Sequence, residues 1–284
     1  MRYRRITGGV IFGVCLALFL YFSPVLKPLP QPSGPYAVGI QSFFTADEQR
    51  ADPYAKTKEN RKIVGHIWYP AVPATGKRYE YLGDAMQVFK KIFAQEYHIP
   101  GFLSEVLWRG IPTHAYSNAT IASTQHAYPV ILFSHGLLGL PSQFYSSIIQ
   151  NIVSHGYIVV GIDHPYFNLV TYYPYGIWVT SNNLATQFHT MKPHEQEAFQ
   201  MKAIGVYKAD MSFVIDYIKH LNEDPESLFY KRCDLNKLIV MGHSAGGTAA
   251  IEFCRHDVRC KGAIDLDGWY DQAIDHSPLD KPLL

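Results

Sequence analysis

Short, largely apolar runs recur through the second half of the chain. They fall at Pro129–Phe133 (PVILF), Tyr157–Ile162 (YIVVGI), Lys237–Met241 (KLIVM) and Gly262–Leu266 (GAIDL). Each is bounded by polar or turn residues, the pattern of strands buried on both faces of a parallel sheet. Segments of helical period lie between them. Ser142 to Ser154 sets Phe144, Ile148, Ile149 and Ile152 on one side, and Glu197 to Leu221 predicts a long helix broken at Asn222 and Pro225. A Gly-rich turn follows Met241 and leads into a helix ending near Arg255. Strands alternating with helices predict an α/β fold, a mostly parallel sheet with right-handed crossovers and helices on both faces.

The first half is less regular. Ile63 to Tyr69 alternates apolar and polar residues as a strand does, stopped by Pro70. Residues 77–124 mix short amphipathic patterns with Pro100, Gly101 and Pro112, an elaboration on a core fold. Between Pro165 and His194 there is no clear period, but Tyr166, Phe167, Tyr172, Tyr173, Tyr175 and Trp178 crowd together. Such a stretch is either a lid or binding loop, or a surface excursion with ordinary aromatic packing.

Composition narrows the class. Lys+Arg number 25 against 24 Asp+Glu, a net charge of +1, which lacks the basic surplus of a nucleic-acid binder. Hydrophobic residues at 48% and charged residues at 17% describe a folded chain. Four cysteines are too few for a disulfide scaffold at 284 residues. Cys254 and Cys260 form the nearest pair, readable either as a disulfide or as buried thiols. No Cys/His spacing suggests a metal site, and no cofactor is expected.

The N-terminus is distinct. Arg2, Arg4 and Arg5 precede an apolar stretch, Ile6 to Phe22, of 17 residues. As a helix it is about 25 Å long, at the short limit for a bilayer. Its bulky end, Leu20-Tyr21-Phe22-Ser23-Pro24, suits an uncleaved signal anchor better than a cleaved leader. The expected organisation is an anchor at residues 1–26, a stiff Pro-rich linker at 27–35 and a catalytic domain at 36–284. Arginines on the N-terminal side put that domain outside the cytoplasmic membrane, or secrete it if the leader is cleaved.

Candidate chemistry centres on Gly242-His243-Ser244-Ala245-Gly246-Gly247. This is G-x-S-x-G directly after an apolar strand and before a helix rich in small residues, the setting of a nucleophile elbow. The turn forces Ser244 into a strained conformation at a helix N-terminus, where developing negative charge is favoured. Phe133-Ser134-His135-Gly136-Leu137 ends the first core strand, the place where α/β-hydrolases build half of an oxyanion hole. The donors are expected to be the backbone N–H groups of Leu137 and Ala245. His135 precedes the nucleophile and is read as a loop-shaping residue. Asp267, 23 residues past Ser244 and at the carboxyl end of the next strand, is the expected acid. Asp265, pointing the same way along that strand, is the alternative.

FSHGLLG with FYSSII, SHGYIVVGIDH, GHSAGG and AIDLDGW, with IWYPA at 67–71, occur in this order and together resemble the platelet-activating factor acetylhydrolase family. The resemblance runs from about Tyr36 to the end. It implies the α/β-hydrolase fold, Ser244 as nucleophile, Asp267 as acid, and calcium-independent hydrolysis of short or oxidised sn-2 acyl esters of phospholipids. Phospholipid or another ester and membrane lipid are then the partners, with no nucleic acid or metal. That family carries its catalytic histidine several dozen residues past the acid, after another strand. Here only His276 follows the acid, nine residues on, and is a weak candidate. The chain is therefore expected to be truncated at its C-terminus, with the catalytic His and one or more strands missing. Two other readings stand beside this one: a dienelactone-hydrolase or polyester-hydrolase-like esterase, and an inactive membrane-tethered remnant.

Overall fold

The computed structural model describes residues 29–73, 77–96, 98–100, 103, 111–269 and 278–284. The expected anchor and the first two residues of the linker, 27 and 28, lie outside the described residues, as does His276. No helix among the described residues is long and apolar enough to cross a membrane.

The chain divides into two compact units. The larger, Gln31–Tyr79 with His114–Leu284, carries the expected sheet. Glu80–Thr113 belongs to the smaller, where helix α1 (Met86–Glu96) buries Met86, Val88, Phe89 and Ile92 along one stripe. Of the expected elaboration at 77–124, residues 80–113 fall in the smaller unit, while 77–79 and 114–124 fall in the larger.

The strands are β1 (Ala37–Ala51), β2 (Asn60–Ala71), β3 (Arg78–Glu80), β4 (Pro112–Ser117), β5 (Tyr128–Ser134), β6 (Ile158–Asp163), β7 (Val170–Tyr172), β8 (Trp178–Thr180), β9 (Cys233–His243) and β10 (Cys260–Leu266). Eight of them form one sheet in the order β10-β9-β5-β6-β2-β1-β4-β3. β10, β9, β5 and β6 are parallel, and β2 then runs antiparallel to both β6 and β1. Beyond β10, Pro282 to Leu284 lie alongside in parallel. Ala263 N–H donates to Pro282 O at 2.9 Å, and Asp265 N–H to Leu284 O at 2.8 Å.

The four apolar runs became β5, β6, β9 and β10. The long helix is α4 (Pro193–Glu223), which starts earlier than its apolar period because Pro193 and Glu195 build an N-terminal cap on Lys192. The first crossover is a 3₁₀ turn at Ser142–Tyr145 followed by α2 (Ser146–Ser154). Its buried face differs from the expected one: Ile148 is exposed, and the inward stripe is Ser146, Ile149, Gln150 and Val153. β2 continues through Pro70 to Ala71, since Pro70 O still accepts the Ala122 N–H. The stretch without period contains the β7–β8 hairpin and α3 (Asn182–Thr190).

Alternation along the strands divides the core. Val130, Leu132, Val160, Ile67 and Val240 face α4 and the helix that follows β9, α5 (Ala245–His256). Ile131, Phe133, Val159, Trp68 and Met241 face Ile149 and Val153 of α2. Helices therefore cover both faces, as expected. Cys254 at the end of α5 and Cys260 at the start of β10 form a disulfide, while Cys233 is a buried free thiol.

One polar cluster lies inside this core. Arg61 of β2 pairs with Asp210 of α4 (2.8 Å) and with Asp52 (3.0 Å). Arg50 reaches the same Asp210 carboxylate. Burial alone would raise the Asp210 carboxyl, but Arg61 and a hydrogen bond from His164 hold it well below the usual carboxylate range. Burial disfavours the charged form of three histidines in the interior. Burial pushes His66 down to about 4 and His135 down to about 3, and it also lowers His164.

These shifts set the pH response. A histidine whose folded pKa is depressed binds fewer protons folded than unfolded, so its stability is lost as pH falls below about 6.5. Asp163 acts oppositely: burial raises it to about 6, so its stabilising share is lost as pH rises through that value. Three histidines against one carboxyl predict net destabilisation from pH 6.5 down to 4. The slope is at most about 1.4 kcal/mol per pH unit for each histidine. Urea midpoints across that range check it, and a midpoint that holds or rises on acidification contradicts it.

Candidate active site at the end of the parallel strands

β9 stops at His243, and Ser244 turns the chain into α5 with φ 53° and ψ −125°. For a residue with a Cβ this is left-handed, strained backbone, costing about 1–3 kcal/mol. Main-chain bonds hold it. Ser244 N–H donates to Leu266 O at 2.8 Å, and Ser244 O accepts from Gly247 (2.8 Å) and Thr248 (3.1 Å). The turn is tight enough to need its glycines. A Cβ on Gly242 would strike the Gly246 main chain, and one on Gly246 would strike the carbonyls of Ser134 and His135. No described residue hydrogen bonds to the half-buried Ser244 side chain through its hydroxyl.

The loop after β5 comes up against this turn. A Cβ on Gly136 would lie 3.3 Å from the Ser244 Cβ, so the Gly136 main chain directly faces the nucleophile candidate. The loop is tied down on its other side: Leu138 N–H donates to Phe167 O at 2.7 Å, and Leu169 N–H to Gly139 O at 2.7 Å. The N–H groups of Leu137 and Ala245 find no acceptor among the described residues. Ala245 opens α5, so its amide carries the positive end of the helix dipole. The structure thus brings Ser244, Ala245 and the Gly136–Leu137 peptide together.

Asp267 stands immediately beyond β10. Leu266 pairs with His243, so Asp267 and Ser244 leave two neighbouring parallel strands at the same level. Asp267 is exposed and has φ 60°, which ends the strand alternation at Leu266. The two aspartates therefore do not share one geometry. Asp265 Oδ1 accepts the Gly268 N–H at 2.8 Å and fills the space that a Gly247 side chain would need. That carboxylate builds the turn, while the Asp267 carboxylate has no hydrogen-bond partner among the described residues. Thr248 clamps the turn to α5, its Oγ1 donating to Trp269 O at 2.8 Å.

His135 is fully buried and shapes the loop as expected. Its Nε2 accepts the His164 N–H at 3.0 Å, and its Nδ1 lies 2.8 Å from Gly136 O. Among the described residues no His/Cys/Asp/Glu group is placed to hold a metal. The cluster of Arg61, Asp210 and His164 was not found from sequence. Its one visible signal is Asp210 itself, an acid on the apolar stripe of α4 between Tyr207 and Val214.

The chain is similar to known proteins in fold and in sequence. A ferulic acid esterase from Streptomyces cinnamoneus superposes with a TM-score of 0.70 at 23% identity, covering 90% of this chain and 66% of that one; the likeness is one of fold. The platelet-activating factor acetylhydrolase of Cavia porcellus is 25% identical over 273 residues, 90% of this chain and 59% of its own length. That of Canis lupus familiaris is 31% identical over 180 residues, 56% of this chain and 40% of its own. The chain thus spans roughly half of the length of these curated relatives. The family model for platelet-activating factor acetylhydrolase, isoform II, matches residues 23–277, and the chain belongs to that family.

Proposed function

We propose that the protein is a serine-dependent carboxylic ester hydrolase acting on short or oxidised sn-2 acyl esters of phospholipids. The observation that carries this is the strained Ser244 turn set against two unengaged main-chain N–H groups, at Leu137 and Ala245. The names of the relatives support the substrate class. Ser244 Oγ attacks the ester carbonyl, and the oxygen that becomes negative is met by the two amides, each contributing about 3 kcal/mol. Collapse of the tetrahedral adduct expels the alcohol and leaves an acyl-enzyme, which water then cleaves. Asp267 orients the histidine that carries the proton, and that base is not assigned to a described residue.

Membrane lipid is the proposed partner surface. The β7–β8 hairpin supports it by presenting Tyr175 (96% exposed) and Ile177 (58% exposed) at its tip. Apolar side chains this open favour an interface. An extracytoplasmic location, tethered by the N-terminal segment, is supported by the Cys254–Cys260 disulfide, since such bonds persist in oxidising compartments.

Two expected outcomes test the reading. With p-nitrophenyl acetate, Ser244→Ala abolishes turnover, and Asp267→Asn lowers kcat by about 10⁴. Full activity in Asp267→Asn while Asp265→Asn is inactive would move the acid two residues back. Reduction of the disulfide, or Cys254→Ser, lowers unfolding stability by about 2 kcal/mol for so short a loop. Equal urea midpoints with and without reductant would show that no such bond forms.

A further inference from the structure

The buried polar cluster lies directly beneath the loop that carries Leu137. Asp210 accepts from Arg61 and from His164 Nδ1 at 2.9 Å, so Nδ1 of the His164 ring carries a proton. Its Nε2 is hydrogen bonded to the Ser134 hydroxyl at 3.0 Å. Tyr207 stacks on the same ring at 3.7 Å, nearly parallel. His164 is thereby fixed on both edges and one face, and its own N–H points at His135 Nε2.

That single donor decides the state of His135. A ring nitrogen that accepts an N–H carries no proton, so the neutral imidazole must bear its hydrogen on Nδ1. The Nδ1–H then donates to Gly136 O at 2.8 Å. Gly139 N–H at 3.3 Å and the Tyr207 hydroxyl at 3.5 Å also donate to the same oxygen. In a trans peptide the carbonyl and the next N–H point in opposite directions. Pinning Gly136 O toward His135 therefore turns the Leu137 N–H away from the imidazole, in the loop whose Gly136 faces Ser244.

We propose that His135 is a positioning residue, held as one tautomer by the His164 main chain, which turns the Gly136–Leu137 peptide so that the Leu137 N–H meets the ester oxygen. Arg61, Asp210 and His164 are its anchor. The kinetic part rests on the esterase reading above; the peptide orientation does not.

Two substitutions separate donation from mere packing. His135→Asn keeps a donor near the Nδ1 position, whereas His135→Gln keeps a group only near the Nε2 position. His135→Gln is expected to lower kcat on p-nitrophenyl acetate about 100-fold with KM within threefold, the signature of an interaction made only in the transition state. His135→Asn is expected to stay within tenfold of the wild type. Equal losses in the two variants, or a loss confined to KM, overturn the proposal. Crystal structures of both variants give a second readout free of activity. The peptide is expected to be retained in His135→Asn and rotated in His135→Gln. An unrotated peptide in His135→Gln overturns the proposal, as does a rotated one in His135→Asn, which also decides the matter if the Gln variant does not fold. A wild-type chain without Ser244-dependent hydrolysis sinks the esterase reading alone, and the peptide orientation then stands as the test.

Discussion

The site depends on one steric constraint: a side-chain-bearing residue held in left-handed backbone between a strand and a helix. Ser244 occupies φ 53° because its neighbours leave no alternative. Gly242 is backed against the Gly246 main chain, and Gly246 against the end of β5. The close approach of β9, α5 and β5 is therefore the same fact as the strain at Ser244. The energy stored there is small beside the burial along the flanking strands, where Val240, Leu132 and Val160 are almost wholly covered. The fold can hold the turn because the strands and helices on either side are its best-packed parts.

The ion cluster adds a second kind of constraint. A fully buried Arg61–Asp210 pair is not an efficient way to stabilise a core, because both charges lose their water. It is an effective way to specify geometry, since each hydrogen bond has a direction and few alternatives. Asp210 receives Arg61, Arg50 and His164, and no apolar residue at that position could fix a ring edge and two guanidinium groups at once. The cluster joins β2, α4 and the segment after β6, elements far apart in sequence.

How much of this the sequence disclosed follows from the range of each interaction. β5, β6, β9 and β10 were legible because strands covered on both faces must be apolar throughout, and the Gly-Ser-Gly turn because its sterics are local. β1 was not: 11 of its 15 residues are only partly covered or exposed, and its state comes from a long register with β2. α2 was found but its face was misjudged, because Ser146 and Gln150 are buried through hydrogen bonds that no hydropathy period contains. The two aspartates of AIDLDGW could not be separated by alternation, since Asp267 leaves the strand with φ 60°. The Arg61–Asp210 pair spans 149 positions, a distance at which pattern carries no information.

Pro282 to Leu284 give β10 a neighbour on the side away from β9. The strand that leads to Asp267 is thus an interior rail, its amides at Ala263 and Asp265 already spoken for. A foreign chain seeking an open ladder finds no purchase there.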